Sequence, residues 1–444
     1  MSLVAFQGAS AVRDGPRPPQ RSADVVSWLT IYLIVLLGIP TRLVIGPLGS
    51  AGAPSMLLGL LSFGVWFVLL LMKRRSDPFL RFYPIRWALF ALLLVSLISY
   101  AMAMSRPING DEVSPADVAV LSLLSWAGIM LLATDGIRSR QRADDLVWRI
   151  VLIGGLMAAL GLAQFLFELP FVDFIRVPGL TEVAPPSLFV RNGLIRPNGT
   201  ATHPIEYGAI LAIILPMALH VAFQHTARPL VLRWAPVVLI GAVIGISGSR
   251  SAYLCALVGV LICVFTWTPR LRRWVLAIST VGFVLVALIW PRMTRIIVGL
   301  FSDPGEDPSI TSRTDSFSVA WSFLIEHPLF GRGYGTFLPK YRIFDNQFLV
   351  QLVSVGLIGT AALVGLAIVA MSEMRHVART AEPAAAMRTR DLAGALSGSV
   401  AAGFVSMAFF DAFAFPMTMG MVFLVLGIVG ALARLSRDAE TQWH

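Results

Sequence analysis

The sequence is poor in charged residues and in cysteine. Only 14% of its 444 residues are charged, whereas 57% are hydrophobic; a soluble domain usually has about 25% charged residues. This composition excludes an ordinary soluble protein. The two cysteines, Cys255 and Cys263, fall within one apolar run, so they exclude a disulfide framework and do not indicate a redox compartment. The sequence also lacks a tandem repeat, a separate soluble domain and an HExxH zinc motif.

Long apolar runs make up most of the chain. A membrane-spanning helix needs roughly 20 predominantly apolar residues, and the runs predict an all-α polytopic membrane protein with about twelve transmembrane helices. The predicted spans are approximately 26–45, 54–72, 87–104, 116–134, 147–167, 205–223, 233–247, 252–268, 274–290, 348–370, 392–413 and 415–433. The first run lacks an obvious small-residue cleavage site, which favours an uncleaved anchor over a removed signal peptide.

The basic residues predict the orientation. With the N-terminus in the cytoplasm, 23 of the 35 Lys and Arg residues fall on inside segments, as the positive-inside rule requires. This orientation gives cytoplasmic tails at 1–25 and 434–444, helices one to nine in 26–290, an exterior loop at 291–347, and helices ten to twelve in 348–433. The net charge of +10 then indicates cytoplasmic loops held against anionic lipid, and we expect no nucleic-acid partner.

The exterior loop, residues 291–347, is too polar for a membrane span and too rich in Trp, Phe and Gly for a plain linker. Six of the twelve exterior basic residues lie in it. Ser312 to Asp315 resembles a helix capping box, and apolar residues then recur at helical spacing until Pro328. The loop is therefore predicted to contain an amphipathic helix that lies on the membrane face.

Three further features of the exterior segments are candidates for chemistry. Arg250 lies in a very short turn, where it is held close to the membrane surface. The glycine-rich run Gly331–Gly335 follows no strand, so we interpret it as a turn that allows close backbone approach, not as a nucleotide loop. Asp345 lies at the start of the tenth span, where a carboxylate either caps the helix or acts as a general base.

The order of these motifs resembles the O-antigen ligase and polymerase family of bacterial envelope glycan enzymes over roughly residues 190–370. The resemblance rests on Arg191, Arg196-Pro-Asn-Gly, His203-Pro, Ser249-Arg250, Arg313, the segment from Glu326 to Phe337, and Asp345 followed by Gly356. The family's ligases carry a histidine where this sequence has Asp345. In the ligases ten residues separate that histidine from a glycine, and Asp345 and Gly356 keep this spacing. Because this sequence has aspartate in place of the ligases' histidine, the identity of the acceptor molecule stays open.

The resemblance implies a glycosyltransferase of the bacterial cytoplasmic membrane. Enzymes of this family move a glycan from a polyprenyl-pyrophosphate carrier to an acceptor hydroxyl, on the outer face of that membrane. The resemblance also implies a lipid-linked glycan donor, a glycan or lipid-linked acceptor and contact with membrane lipid. The implied residues are Asp345 and Arg313 for catalysis, Arg191, Arg196 and Arg250 for the pyrophosphate, and His203, Glu206, Asn346 and Arg332 as accessory groups.

The residue types fit this chemistry independently of the resemblance. Arg donates bidentate hydrogen bonds to phosphate and keeps its charge, so fixed arginines can stabilise a departing pyrophosphate without a metal. We therefore expect no cofactor and no metal, and an inverting displacement in which Asp345 orients or deprotonates the acceptor. Taken singly, each arginine is better explained as an interfacial anchor, and it is the concentration of several exterior arginines on two loops and one tight turn that favours an anion site.

Two of the accessory residues, and the chain as a whole, have alternative interpretations. His203 is either a second proton carrier or a cap of the sixth span, with the cap favoured. Glu206 either orients an arginine or is an interfacial carboxylate, with the latter commoner. The alternative function is a lipid-linked saccharide flippase or other secondary transporter, although such proteins favour charged residues at the midplane and inverted repeats. A peptidoglycan glycosyltransferase of the shape and elongation type shares the chemistry but usually has fewer spans.

Overall fold

The computed structural model describes residues 24–72, 83–183, 189–191, 194–289, 308–381 and 386–442. These residues form thirteen α-helices with short connections. The helices α1 to α13 are Val25–Gly38, Pro54–Leu71, Pro84–Met104, Gly110–Gly136, Arg140–Phe167, Pro204–Gln224, Leu230–Ile246, Arg250–Thr266, Pro269–Ile289, Pro308–Glu326, Gln347–Arg379, Ala386–Ser406 and Pro416–Gln442. The structure confirms the predicted fold class, an all-α membrane protein.

Each of the twelve predicted spans coincides with a helix, and α10 is an additional helix within residues 291–347, the segment predicted to be an exterior loop. Among the described residues, seven helices are long and apolar enough to cross a membrane: α2, α3, α4, α5, α6, α11 and α13. Helices α1, α7 and α8 are apolar but shorter. The count of twelve spans stays a prediction.

Helices α6 and α13 form the centre of the bundle. Their apolar windows are 83% and 94% buried, against 28% and 33% in α2 and α3, so α2 and α3 turn most of their apolar surface outward, where lipid would cover it. Close helix packing uses glycine, as expected where lipid removes the hydrophobic drive for association. A Cβ on Gly398 of α12 would lie 2.4 Å from the carbonyl oxygen of Gly259 in α8.

The connections gather at the two ends of the bundle. One end, which we call the loop face, holds the connections after α1, α3, α5, α7 and α12 together with residues 327–346. The other end, the opposite face, holds the start of α1 and the end of α13, as shown by the Asp24–Arg142 ion pair of 2.5 Å and by Arg434 donating to the carbonyl of Ile137. The two ends of the described chain therefore share one face.

Two small antiparallel strand pairs, which the sequence did not predict, order the connections of the loop face. Strand β1 (Leu43–Val44) pairs with β2 (Thr181–Glu182). Strand β3 (Phe189–Arg191) pairs with β4 (Leu194–Arg196), with Phe189 opposite Arg196. The second pair brings Arg196 to the start of α6.

The predicted loop helix is present as α10, but its predicted start was wrong. The capping box at Ser312–Asp315 lies inside the helix, which begins four residues earlier at Pro308. Proline is favoured at the first helical position because its fixed φ suits a helix and its missing N–H is not needed there. One face of α10 is exposed and apolar, with Phe317, Trp321 and Ile325 each more than half exposed, in keeping with a helix that lies against lipid.

The glycine-rich run Gly331–Gly335 packs against a break in α11. Gly356, inside α11, has φ +68°, and a Cβ there would lie 2.4 Å from the carbonyl oxygen of Leu329. The break leaves the carbonyls of Val353 and Ser354 to accept from the amides of Arg332 and Gly333 at 2.8 and 3.0 Å. The close backbone approach predicted for this run is confirmed.

Candidate functional site

The two polar residues before α11 have different roles. The Asn346 side chain caps the helix, because its Oδ1 accepts from the amides of Phe348 at 2.9 Å and Leu349 at 3.4 Å. Asp345 is half-buried, and no hydrogen bond or ion pair to its carboxylate is found among the described residues. Since Asn346 does the capping, the Asp345 carboxylate is available for another role.

The segment after α12 brings a second carboxylate, Asp411, within electrostatic reach of Asp345. Gln347, the first residue of α11, holds this segment through its amide, which donates to the carbonyl of Met407 at 2.7 Å. Its Oε1 accepts from the amide of Phe413 at 2.8 Å. Burial raises the pKa of Asp411 to about 6; the nearby charge of Asp345 adds to the rise, and two backbone amides oppose it.

Asp411 lines a cavity of about 420 Å³ that opens on the loop face between α2, α4 and α11. Most of its wall is apolar. Its polar lining includes Tyr334, Gln347 and Gln351 as well as Asp411. Gln351 is 1% exposed, and within the part of the chain that the structure describes its Nε2 has no hydrogen-bond partner. A buried unpaired donor is costly, so the cavity offers a hydrogen bond to a polar group that enters it.

Arg332, predicted as an accessory group, holds the loop to the bundle. Its Nη2 lies 2.7 Å from Oε1 of Glu112 in α4, a residue that is 1% exposed. Its guanidinium stacks over the Tyr341 ring at 4.3 Å, and its carbonyl accepts from Arg106 at 2.6 Å. These contacts fix the segment that leads from α10 to Asp345.

A second group of predicted residues gathers where α6 and α8 begin. The Nε of Arg196 donates to the carbonyl of Ser247 at 3.0 Å, in the turn that leads to Arg250, the first residue of α8. Ser249 caps α8 by accepting from the amide of Ala252. The structure thus brings Arg196 beside the helix terminus that carries Arg250, and a helix N-terminus favours an anion.

His203 lies beside Arg196 and caps α6, as one of the two interpretations predicted. Its Nδ1 accepts from the amide of Ile205 at 3.1 Å, and its ring contacts Phe189 edge to face at 4.6 Å. Burial, and to a lesser degree the charge of Arg196, lower the pKa of His203 to about 4. His203 is therefore neutral near pH 7 and is unsuited to donating a proton there.

Glu206 is fully buried and connects the two groups of residues. One carboxylate oxygen accepts from the amide of Thr202 at 3.0 Å, and the other accepts from Met417 at 3.2 Å, at the start of α13. The segment just before Met417 also separates two cavities. Phe415 lines one of about 360 Å³ beside His203, and Phe413 lines the 420 Å³ cavity of Asp411.

Two predicted residues have side chains outside the described part of the structure. The backbone of Arg191 lies in β3 and that of Arg313 in α10. The sequence marks Asp411 only as an ionisable residue near the end of the predicted eleventh span. Its proximity to Asp345 depends on the Gln347 contacts, which no local pattern encodes.

The comparisons with known proteins agree with the motifs. Residues 235–364, less than a third of the chain, match the family model described as O-antigen ligase, which confirms the predicted resemblance. The matched segment contains Arg250, Arg313 and Asp345, but not Arg196 or Asp411. No curated protein matches the sequence.

The solved structures give a more distant similarity. The one described as "Structural coordination of polymerization and crosslinking by a peptidoglycan synthase complex" aligns with a TM-score of 0.40 and 16% identity, covering 80% of this chain and 97% of that chain. A similarity at this level carries no argument about function.

Proposed function

We propose that this chain, which matches the O-antigen ligase family over residues 235–364, is a membrane glycosyltransferase of the ligase and polymerase type. It would transfer a glycan from a polyprenyl-pyrophosphate carrier to an acceptor hydroxyl. The loop face would be the exterior side of a bacterial cytoplasmic membrane, with both termini in the cytoplasm. The family match over the segment that contains Arg250, Arg313 and Asp345 is the observation that carries this proposal.

The donor pyrophosphate would bind beside the N-terminus of α8. Arg196 is held at this point by its bond to the Ser247 carbonyl, and Arg250 begins the helix. Two guanidinium groups and a helix terminus all favour an anion. Arg191 and Arg313 would complete the basic site, as the resemblance implies. Because charge develops on the pyrophosphate as it leaves, these groups would stabilise the transition state more than the bound donor.

The acceptor hydroxyl would be activated at Asp345. In one displacement, the acceptor oxygen bonds to the anomeric carbon, the bond from that carbon to the pyrophosphate oxygen breaks, and the hydroxyl proton passes to a carboxylate. The carrier leaves as polyprenyl pyrophosphate. Attack on the side opposite the leaving group inverts the anomeric configuration. Asp345 supports this role because Asn346 caps α11 in its place.

Asp411 is a second candidate to accept that proton. A general base works best with a pKa near the operating pH, and the pKa of Asp411, at about 6, is closer to neutrality than that of an ordinary aspartate. Asp411 also lines the 420 Å³ cavity, whose mostly apolar wall and few polar groups are typical of a ligand site. Single variants of the two carboxylates would separate their roles.

The test is a proteoliposome assay with a polyprenyl-pyrophosphate glycan as donor. Longer glycans on the carrier identify a polymerase, and glycan on a different acceptor identifies a ligase. Movement of the intact donor across the bilayer, with no new glycosidic bond, would identify a flippase and contradict the proposal.

Metal-independence is tested in the same assay. We expect transfer to continue in EDTA, since the arginines supply the positive charge. The test is informative because the charge of Asp345 acts on Asp411, and two neighbouring carboxylates can hold Mg²⁺. Loss of transfer that returns with added Mg²⁺ would contradict an arginine-only mechanism.

A further inference from the structure

A buried cluster of histidine and aspartate lies on the opposite face, away from the proposed reaction site. Asp144 is in the first turns of α5, His220 is in the last turns of α6, and His225 follows the end of α6. One ligand atom of each residue lies within 4.8 Å of the other two, and all three residues are buried. Polar groups so enclosed normally have hydrogen-bond partners.

Two atoms of the cluster have no such partner in the described ranges of the chain. His220 is 1% exposed, and its Nε2, like Oδ1 of Asp144, makes no hydrogen bond to any described residue. The other ring nitrogen of His220, Nδ1, lies 2.5 Å from Oδ2 of Asp391 in α12. When Asp391 accepts from the Nδ1–H group, the neutral His220 ring carries its lone pair on Nε2. Histidines that bind a metal commonly donate their other ring nitrogen to a carboxylate in this way.

We propose that Asp144, His220 and His225 form a binding site for a divalent transition metal of the zinc type, with Asp391 orienting His220. The set combines two imidazoles and one carboxylate, which suits Zn²⁺ and its neighbours better than Mg²⁺ or Ca²⁺. Ligand atoms around one zinc lie about 3.3–3.6 Å apart in tetrahedral geometry, so the three groups need to close by no more than about 1.5 Å on binding.

The site has an entry path and room for a further ligand. Asp144 and His225 line a cavity of about 500 Å³ on the opposite face. A water molecule from this cavity can take the fourth position of a tetrahedral metal. His225 would bind the metal through a ring nitrogen of its neutral imidazole.

Arg388 contacts two of the three ligands and opposes metal binding. Its guanidinium lies 2.8 Å from Oδ2 of Asp144 and 3.5 Å from Nε2 of His225. The Arg388 side chain is 47% exposed, so it can swing into the solvent. The metal ion would then take the place of the Arg388 guanidinium beside Asp144. The occupied site would link α5 to α6.

The test uses the full-length protein in detergent micelles, with an affinity tag free of histidine, stripped with chelator and titrated with Co²⁺. We expect one Co²⁺ per chain with visible absorption bands, displaced by Zn²⁺. His225→Ala and Asp144→Asn should each weaken binding at least a hundredfold, and Asp391→Asn by about 10- to 100-fold. Arg388→Gln should tighten it about tenfold, since a competing charge is removed.

His376→Ala is the matched control, because His376 is a histidine on the same face that lies 3.4 Å from a carboxylate, that of Glu440. This variant should bind Co²⁺ as the parent does. Equal affinities in the His225→Ala and His376→Ala proteins, or no Co²⁺ absorption in the folded parent, would overturn the proposal. Asp144→Asn changes almost no side-chain volume, so it keeps the test valid if a histidine variant does not fold.

Discussion

The Arg332–Glu112 ion pair gives the most direct prediction about the loop that carries Asp345. Glu112 is 1% exposed and the Arg332 side chain 16% exposed. Removing one partner of a buried pair typically costs about 3–5 kcal/mol, because the other charge stays buried. Arg332 is not fully enclosed, so we take the lower end for Arg332→Ala. A loss of about 3 kcal/mol corresponds to a roughly hundredfold increase in the local opening of the loop.

Hydrogen–deuterium exchange of peptides from 327–341 measures this opening. The informative amides are those of Arg332 and Gly333, which donate to α11. They should exchange about a hundred times faster in Arg332→Ala. The control is Lys340→Ala, whose pair with Asp111 is exposed, so exchange should change by less than about fivefold. A double variant, Glu112→Gln with Arg332→Met, should regain most of the protection because no buried charge is left unpaired. Equal exchange in Arg332→Ala and Lys340→Ala would refute the reasoning.

Three further substitutions test the contacts of the loop face. Asp411→Asn should be more stable than the parent at pH 7.5 by up to about 2–3 kcal/mol. The pKa of Asp411 is raised in the folded state, so its ionisation between about pH 4 and 6 lowers the stability of the parent. At about pH 3.5, where Asp411 is mostly protonated in both states, denaturation of the two proteins should differ little. Gly356→Ala should lower the melting temperature strongly, since φ is +68° and a Cβ would meet the Leu329 carbonyl; a neutral result would contradict the close approach. Gln347→Ala should speed exchange of the Phe413 amide, measured in the same way, while leaving α13 protected.

The sequence predicted the helices well because membrane spans are encoded locally. A run of apolar residues fixes a helix wherever it occurs, since an isolated segment in lipid satisfies its own backbone polar groups only as a helix. The glycine run was also interpreted correctly, because glycine there meets the backbone of α11. The start of α10 was predicted wrongly, because the Ser312–Asp315 pattern resembles a cap whereas Pro308 occupies the first helical position, which suits proline.

The candidate site was only partly predictable because it is assembled from distant segments. Motif order pointed to Asp345, but nothing local separated its role from that of Asn346. The approach of Asp411 depends on Gln347, which ties two segments together through its amide and its side chain. The His220 pair with Asp391 likewise joins different helices, and neither residue has a neighbour in the sequence that marks it out.

The most direct measurement of the central claim is glycan transfer by Asp345→Asn in proteoliposomes that contain the polyprenyl-pyrophosphate donor. The substitution keeps the side-chain volume and removes the proton acceptor, so transfer should fall about 10²- to 10⁴-fold while the protein stays folded. Asp111→Asn, which changes an exposed carboxylate of the same face, should transfer as the parent does. Transfer by Asp345→Asn within a fewfold of the parent would contradict the account.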